Sequence, residues 1–274
     1  MTTAKVAQFY NEASELINAD LGDGLHFGYW RDLPPDSSMA DASLRMTQLM
    51  IDKVGVTHGQ RVLDLGSGVG GPAVELARVT GAEVVGVDLS ERHVRLATER
   101  VRSAHLADRV TFRLGDASDL PFEPNSFDGA WMLESFFHMP DQAKVLRQLA
   151  EVLRPGGRLV IGNLVQRTPL SDDQDAALAE LWRVGHVAAL HPLSSYSTLL
   201  GDAGLALEEL LDISDDTMKQ TFDAIREIHA ARRRGEAPLP NASAEVQNDL
   251  GLDGMELFAA NPEVGFAIIV ATKP

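Results

Sequence analysis

The stretch RVLDLGSGVGGPAVEL, residues 61–76, limits what this chain can fold into more than any other. An apolar run of β-type residues ends in Gly66, Gly68 and Gly71, spaced G-x-G-x-x-G, and a helix-type pattern follows at once. Glycines at that spacing let the backbone turn tightly and come close to a ligand at the N-terminus of the next helix. Alone the pattern is weak, because glycine punctuates many strand-to-helix turns. Its surroundings decide what it means.

Downstream come AEVVGVDLS, ERHVRLATERVRSAH, RVTFRLG, FDGAWML, QAKVLRQLAEVL and GRLVIGNLV, in which β-rich runs alternate with helical ones. The alternation predicts an α/β fold: a doubly wound, mostly parallel sheet with helices on both faces. Asp141 is placed to cap the helix after Pro140, and RPGG at 154–157 ends that helix and turns the chain into the next strand. Beyond residue 170, helical patterns occupy 171–189, 194–203, 215–234 and part of 242–260. Candidate strands at 205–214 and 265–274 would supply an antiparallel edge, making seven strands. One integrated domain is expected, with an N-terminal helical cap over 1–55 broken at LHFGYW, a ligand-binding core over 56–170, and a helical lid plus the last two strands over 171–274.

Composition narrows the chemistry. The 274 residues include no cysteine, which excludes disulfides, iron–sulfur clusters, zinc ribbons and a thiol nucleophile. With 40 acidic against 24 basic side chains the formal charge is −16, which repels phosphate backbones and anionic lipid, so nucleic acid is not an expected partner. Arg232, Arg233 and Arg234 read as a solvated cationic helix end. The N-terminal residues lack a basic leader with an apolar run, and no segment approaches the roughly 18 apolar residues of a membrane span. A soluble cytoplasmic protein without a membrane partner is expected. Homo-oligomerisation through the N-terminal helices or the lid is compatible with the pattern and not dictated by it.

Two carboxylates suggest the ligand. Asp88 ends the second β-run 22 residues beyond Gly66, near the spacing of a ribose-binding acid. Asp64 sits two residues before Gly66 and can project toward the ligand end of its strand. Beside a pyrophosphate a carboxylate is repelled; beside an ammonium or sulfonium it is attracted. S-adenosylmethionine carries both cations. The plain alternative is that Asp64 caps a loop amide.

The segments VLDLGSGVGG, VVGVDLS, GDASDLPF, FDGAWMLESFFHM and VLRPGGRLVI resemble the successive motifs of class I S-adenosylmethionine-dependent methyltransferases. Preceded by LHFGYW, the series is similar to the enzymes that tailor bacterial natural products, including sugar O-methyltransferases and related sterol and tocopherol methyltransferases. The resemblance covers residues 25–165 and implies a Rossmann-like methyltransferase fold. It implies that Gly66, Ser67 and Gly68 wrap the methionyl part, that Asp88 grips the ribose hydroxyls with His93 in reach, and that Leu89 packs on adenine. Asp116 and Ala117 would meet the amino edge of that base, Leu133 would line the cofactor site, and Tyr29 would close over the methionyl end.

His138, in ESFFHMPD, is the candidate catalytic base, because it follows a central strand at the edge where such sheets place ligands. Relatives commonly show paired histidines where this chain has Phe137 and His138, and an acid where it has Asn163. The neutral amide could orient the imidazole without raising its basicity, while Phe137 could pack a lipophilic substrate or steady a cation. The substrate expected is a hydrophobic secondary metabolite, methylated at carbon or oxygen. Two rivals remain: a methyltransferase-fold cyclase or binding module that uses the cofactor structurally, and a nicotinamide-dependent oxidoreductase, against which Asp64 and GDASDLPF argue. His186 and His191 are five residues apart and do not stack on adjacent turns, so no metal is expected.

Overall fold

The computed structural model describes residues 3–21, 24–237 and 261–274. The helix expected within 242–260 lies outside the described residues. Seven strands form one sheet: β1 (Arg61–Leu65), β2 (Glu83–Asp88), β3 (Val110–Leu114), β4 (Phe127–Leu133), β5 (Leu153–Gln166), β6 (Ala206–Asp212) and β7 (Val264–Thr272), in the order β3-β2-β1-β4-β5-β7-β6. The first five pair in parallel, and β7 runs antiparallel between β5 and β6. The antiparallel pairing therefore lies at one end of the sheet, with β6 outermost.

Strand periodicity explains why both faces are apolar. Along β7, Phe266, Ile268 and Val270 enter one core cluster, whereas Ala267, Ile269 and Ala271 enter the other. Alternate residues of a strand point to opposite faces, so a strand buried on both sides reads as a continuous apolar run. One face is covered by α2 (Met39–Val54), α3 (Gly71–Thr80) and α4 (Glu91–Ser103) together with α9 (Met218–Arg233). The other packs against α5 (Gln142–Val152) and α8 (Tyr196–Gly201). Among the described residues no helix is long and apolar enough to cross a membrane.

Local chemistry sets the boundaries. Asp141 caps α5, accepting the Lys144 N–H at 2.9 Å. Ser38 and Asp41 form a reciprocal capping box at the start of α2. The pattern over 171–189 is not one helix: α6 (Asp172–Ala177) and α7 (Ala179–Val184) are short, and an irregular segment follows. His186 in that segment has φ 49°, in the left-handed region, which directs its carbonyl inward, as described below. The first helix, α1 (Thr3–Leu21), lies across the carboxyl end of the sheet and contacts α2, α4 and α9.

Candidate functional site

Strand order reverses between β1 and β4, since the chain winds from β1 outward to β3 and then returns to the other side of β1. Open α/β sheets bind ligands in the crevice at such a reversal, beyond the carboxyl ends of the strands. A cavity of about 1190 Å³, its open mouth included, lies there. It collects Asp64, Gly66, Ser67 and Gly68 from the first loop, Asp88, Leu89 and His93 from the second, Asp116 and Ala117 from the third, and Leu133 and His138 from the fourth. Tyr29 is not among its lining residues. It is buried (4% exposed), with Arg45 stacked on its ring.

The glycine loop is shaped by close approach. Gly66 has φ 79°, and a Cβ there would lie 2.3 Å from the Cβ of Ser135. At Gly70, which precedes α3, a Cβ would lie 2.7 Å from the Phe112 ring. The loop amides are already committed: Gly66 and Ser67 donate to the Val87 carbonyl at 2.8 and 3.2 Å, and Gly68 donates to Asp88 Oδ2 at 2.8 Å. A pyrophosphate needs such N–H groups for itself, so the loop is poorly equipped for a dinucleotide. Asp88 also accepts the Ser90 N–H at 2.9 Å and meets His93 Nδ1 at 3.2 Å, which ties the ends of β2 and α4 to the loop.

Two polar atoms beside the loop have no partner. Asp64 is 3% exposed and its Oδ2 accepts no hydrogen bond; Ser67 Oγ is likewise buried and unpaired. Burial pushes the Asp64 carboxyl up to about 7, against the opposing pull of the Trp131 side chain and with the nearby charge of Asp88 adding to it. A buried carboxylate with one oxygen unpaired is costly, and a ligand ammonium would relieve the cost. These orphaned atoms fit a cationic amino-acid group and not a phosphate.

His138 ends a single turn of 3₁₀ helix, Phe136–His138, just beyond β4. Its Nδ1 donates to the His186 carbonyl at 2.9 Å, so Nε2 is the lone-pair nitrogen, and it accepts the Tyr10 hydroxyl of α1 at 2.6 Å. Burial holds the imidazole down at about 4, and burial raises the Tyr10 phenol well above its ordinary value. The pair is neutral.

Two expectations about this turn need correction. Asn163 does not orient the His138 ring: its Oδ1 accepts the Phe137 N–H at 3.2 Å and its Nδ2 donates to the Leu164 carbonyl at 2.9 Å. The carbonyl of His186 does the orienting. Phe137 does not line the cavity either; its ring packs behind His138, with centroids 4.1 Å apart, inside a core cluster.

The lining residues that escaped the sequence reading include Tyr10 and Glu134. Tyr10 lies 128 positions from His138, and nothing local to QFYNE signals the contact. Glu134 stands next to Leu133 with φ 53°, accepts the Phe27 N–H at 2.6 Å through Oε1, and is pushed by burial to about 8. The signal for Glu134 was its place at the carboxyl end of β4, four residues before His138.

The cap is tied to the lid. Asp20 of α1, 3% exposed, is met by His229 Nε2 at 2.9 Å and by the Arg232 guanidinium, both from α9. Arg232 is therefore a buried ion-pair partner and not part of a solvated helix end. Replacing Asp20 with Ala strands that guanidinium, and a loss of about 3 kcal/mol is expected. Urea unfolding monitored by circular dichroism measures it; an unchanged midpoint would show the clamp to be idle.

Comparison with known proteins follows the same line. A family described as a methyltransferase domain matches residues 63–161. Methyltransferase GfsG of Streptomyces halstedii is 38% identical over 98% of this chain and 94% of its own length. The 27-O-demethylrifamycin SV methyltransferase of Amycolatopsis mediterranei (strain S699) is 34% identical over 100% of this chain and 98% of its own. Among solved structures, that of the 4+2 cyclase SpnF superposes with a TM-score of 0.85 at 29% identity, covering 100% of this chain and 96% of that one.

Proposed function

The chain belongs to the class I S-adenosylmethionine-dependent methyltransferases, and from that premise we propose that it methylates a hydroxyl oxygen of a neutral, hydrophobic secondary metabolite with His138 as the base. The observation that carries this reading is the 2.6 Å contact between Nε2 of a neutral His138 and a hydroxyl, that of Tyr10. Imidazole in that state already holds an O–H in the geometry of general-base catalysis. An acceptor hydroxyl that displaces the Tyr10 phenol would inherit the contact.

Asp64 and Ser67 would hold the methionyl end of the cofactor, Asp88 and His93 the ribose, and Leu89 with Asp116 and Ala117 the base. When bound, the cofactor supplies a methyl group on a positively charged sulfur, and in-line transfer then depends on position and desolvation. The protein's part is to hold the acceptor oxygen against His138, to take its proton at Nε2, and to exclude water with α1. Oxygen is favoured over carbon because Phe137 stands behind the histidine and presents no aromatic face to a carbocation. The described lining includes no lysine or arginine, which supports a neutral acceptor over a phosphorylated one.

The likeness to the 4+2 cyclase keeps a second reading in play, in which the bound cofactor only shapes the pocket. Incubation with methyl-labelled cofactor and a panel of hydrophobic hydroxylated metabolites separates the two. Label in an ether product is expected; turnover of a substrate without label transfer would overturn the proposal in favour of cyclase chemistry.

A further inference from the structure

The cavity is charged in one sense only. Its described lining holds Asp64, Asp88, Asp116, Glu134 and Asp141, and no lysine or arginine. Asp64 is on β1 and Glu134 directly follows β4, which pairs with β1. The reaction proposed above gives Glu134 no task, yet the fold holds it with care. Its backbone sits at φ 53°, its N–H is fixed to the Gly162 carbonyl at 2.8 Å, and its Oε1 is fixed by the Phe27 N–H at 2.6 Å. A non-glycine residue in the left-handed region is uncommon and is retained where surrounding contacts enforce it. The second oxygen, Oε2, has no hydrogen-bond partner among the described residues and belongs to a side chain that lines the cavity.

The carboxyl meets the Phe27 peptide of the LHFGYW loop and interacts electrostatically with Tyr10 on α1, while Asp64 on β1, Asp88 on β2, His93 on α4 and His138 on the turn after β4 line the same cavity. None carries a fixed positive charge. Burial accordingly pushes Glu134 to about 8, against the opposing pull of the Phe27 N–H. Near neutrality these surroundings favour a protonated carboxyl, and a positive ligand group reverses the preference.

The position selects which positive group. Asp64 stands ahead of the glycine loop, whereas Glu134 stands at the end of β4 before the turn that carries His138, and both line the cavity, so Glu134 is the acid we assign to the sulfur. The ammonium, common to the cofactor and to its demethylated product, is left to Asp64. We propose that Glu134 distinguishes the sulfonium cofactor from the neutral thioether product, standing ionised beside the first and protonated beside the second. The charges balance, because methylation of a hydroxyl liberates one proton for each positive sulfur discharged. Glu134 is thus a specificity residue that favours the sulfonium form over the product by strengthening retention of the former, and the inference rests on the methyltransferase reading of the cavity.

Calorimetric titration of the full chain with S-adenosylmethionine and with S-adenosylhomocysteine, from pH 6 to 9 in buffers of different ionisation enthalpy, tests it. Asp64 affects both ligands and cancels in the ratio of affinities. The preference for the sulfonium ligand is expected to rise by up to about tenfold per pH unit and to level off above about pH 8, with close to one more proton released at pH 7. Glu134→Gln keeps an oxygen for the Phe27 N–H, and is expected to flatten that ratio to its low-pH value while changing thioether affinity less than about threefold. The same pH dependence for both ligands in the unaltered protein overturns the proposal without reference to any variant. Failure of either ligand to bind overturns the cofactor reading itself.

Discussion

Asp64→Asn is expected to give a ligand-free protein that is more stable at pH 8 than its parent and that binds S-adenosylmethionine at least about 30-fold more weakly. Both halves follow from the same burial. The Asp64 carboxyl is pushed by burial up to about 7 from its ordinary 3.8. A group whose folded pKa is raised stabilises the fold below its unfolded pKa, and that contribution disappears as pH climbs through the folded value. The native state therefore loses ground between about pH 4 and pH 7, and above that range it carries the whole cost of an ionised, unpartnered oxygen. At about 1.4 kcal/mol per unit, removal of the charge is worth on the order of 2–4 kcal/mol at pH 8. Much less is gained at pH 5, where the parent holds its proton. The loss of affinity comes from removing one member of a buried charge pair, about 2–5 kcal/mol. Thermal melts of the empty protein at pH 5 and 8, with equilibrium dialysis of labelled cofactor, measure both effects. A variant no more stable than its parent at pH 8 would mean that Trp131 and the surrounding dipoles already compensate the Asp64 charge.

That strain also explains which parts of the site were legible in the sequence. Asp64, Gly66, Ser67, Gly68 and Asp88 are readable because their roles are local: a carboxylate two residues before a glycine turn and another at the end of the next strand reach the same cavity in any doubly wound sheet. The sheet itself was readable for a related reason, since strands buried on both faces leave continuous apolar runs such as GFAIIVAT. Tyr10 was not readable, because its contact depends on how α1 crosses the sheet, and Asp20 with His229 and Arg232 fixes that crossing through pairs more than 200 positions apart. Asn163 misled for a geometrical reason. The 3₁₀ turn swings His138 away from β5, so the amide meets the Phe137 backbone, and a carbonyl from the irregular segment at 186 takes the imidazole. A backbone carbonyl leaves no mark in the identity of its residue. Glu134 and Asp64 are ordinary acids by sequence; only burial makes them reluctant ones.

His138→Gln is expected to lower kcat by about 10²–10⁴-fold with cofactor affinity unchanged, and the pH profile of the unaltered enzyme identifies the base. Burial holds His138 down at about 4. Its folded pKa is depressed, so the imidazole is neutral and competent throughout pH 5–8, and the rate at saturating cofactor and acceptor should show no inflection near 6.5. Such a weak base suffices because it does not have to ionise the acceptor beforehand. As the oxygen bonds to the incoming methyl it becomes positive, its proton becomes strongly acidic, and a neutral nitrogen at hydrogen-bond distance can take it within the same step. The Tyr10 hydroxyl engages that nitrogen, so Tyr10→Phe should lower the acceptor KM severalfold while changing kcat less than about tenfold. That split distinguishes a placeholder from a second catalytic group. An acid limb near pH 6.5 would show that the imidazole is not held neutral during turnover, and a Tyr10→Phe variant as slow as His138→Gln would place the proton's route through the phenol and not through the imidazole alone.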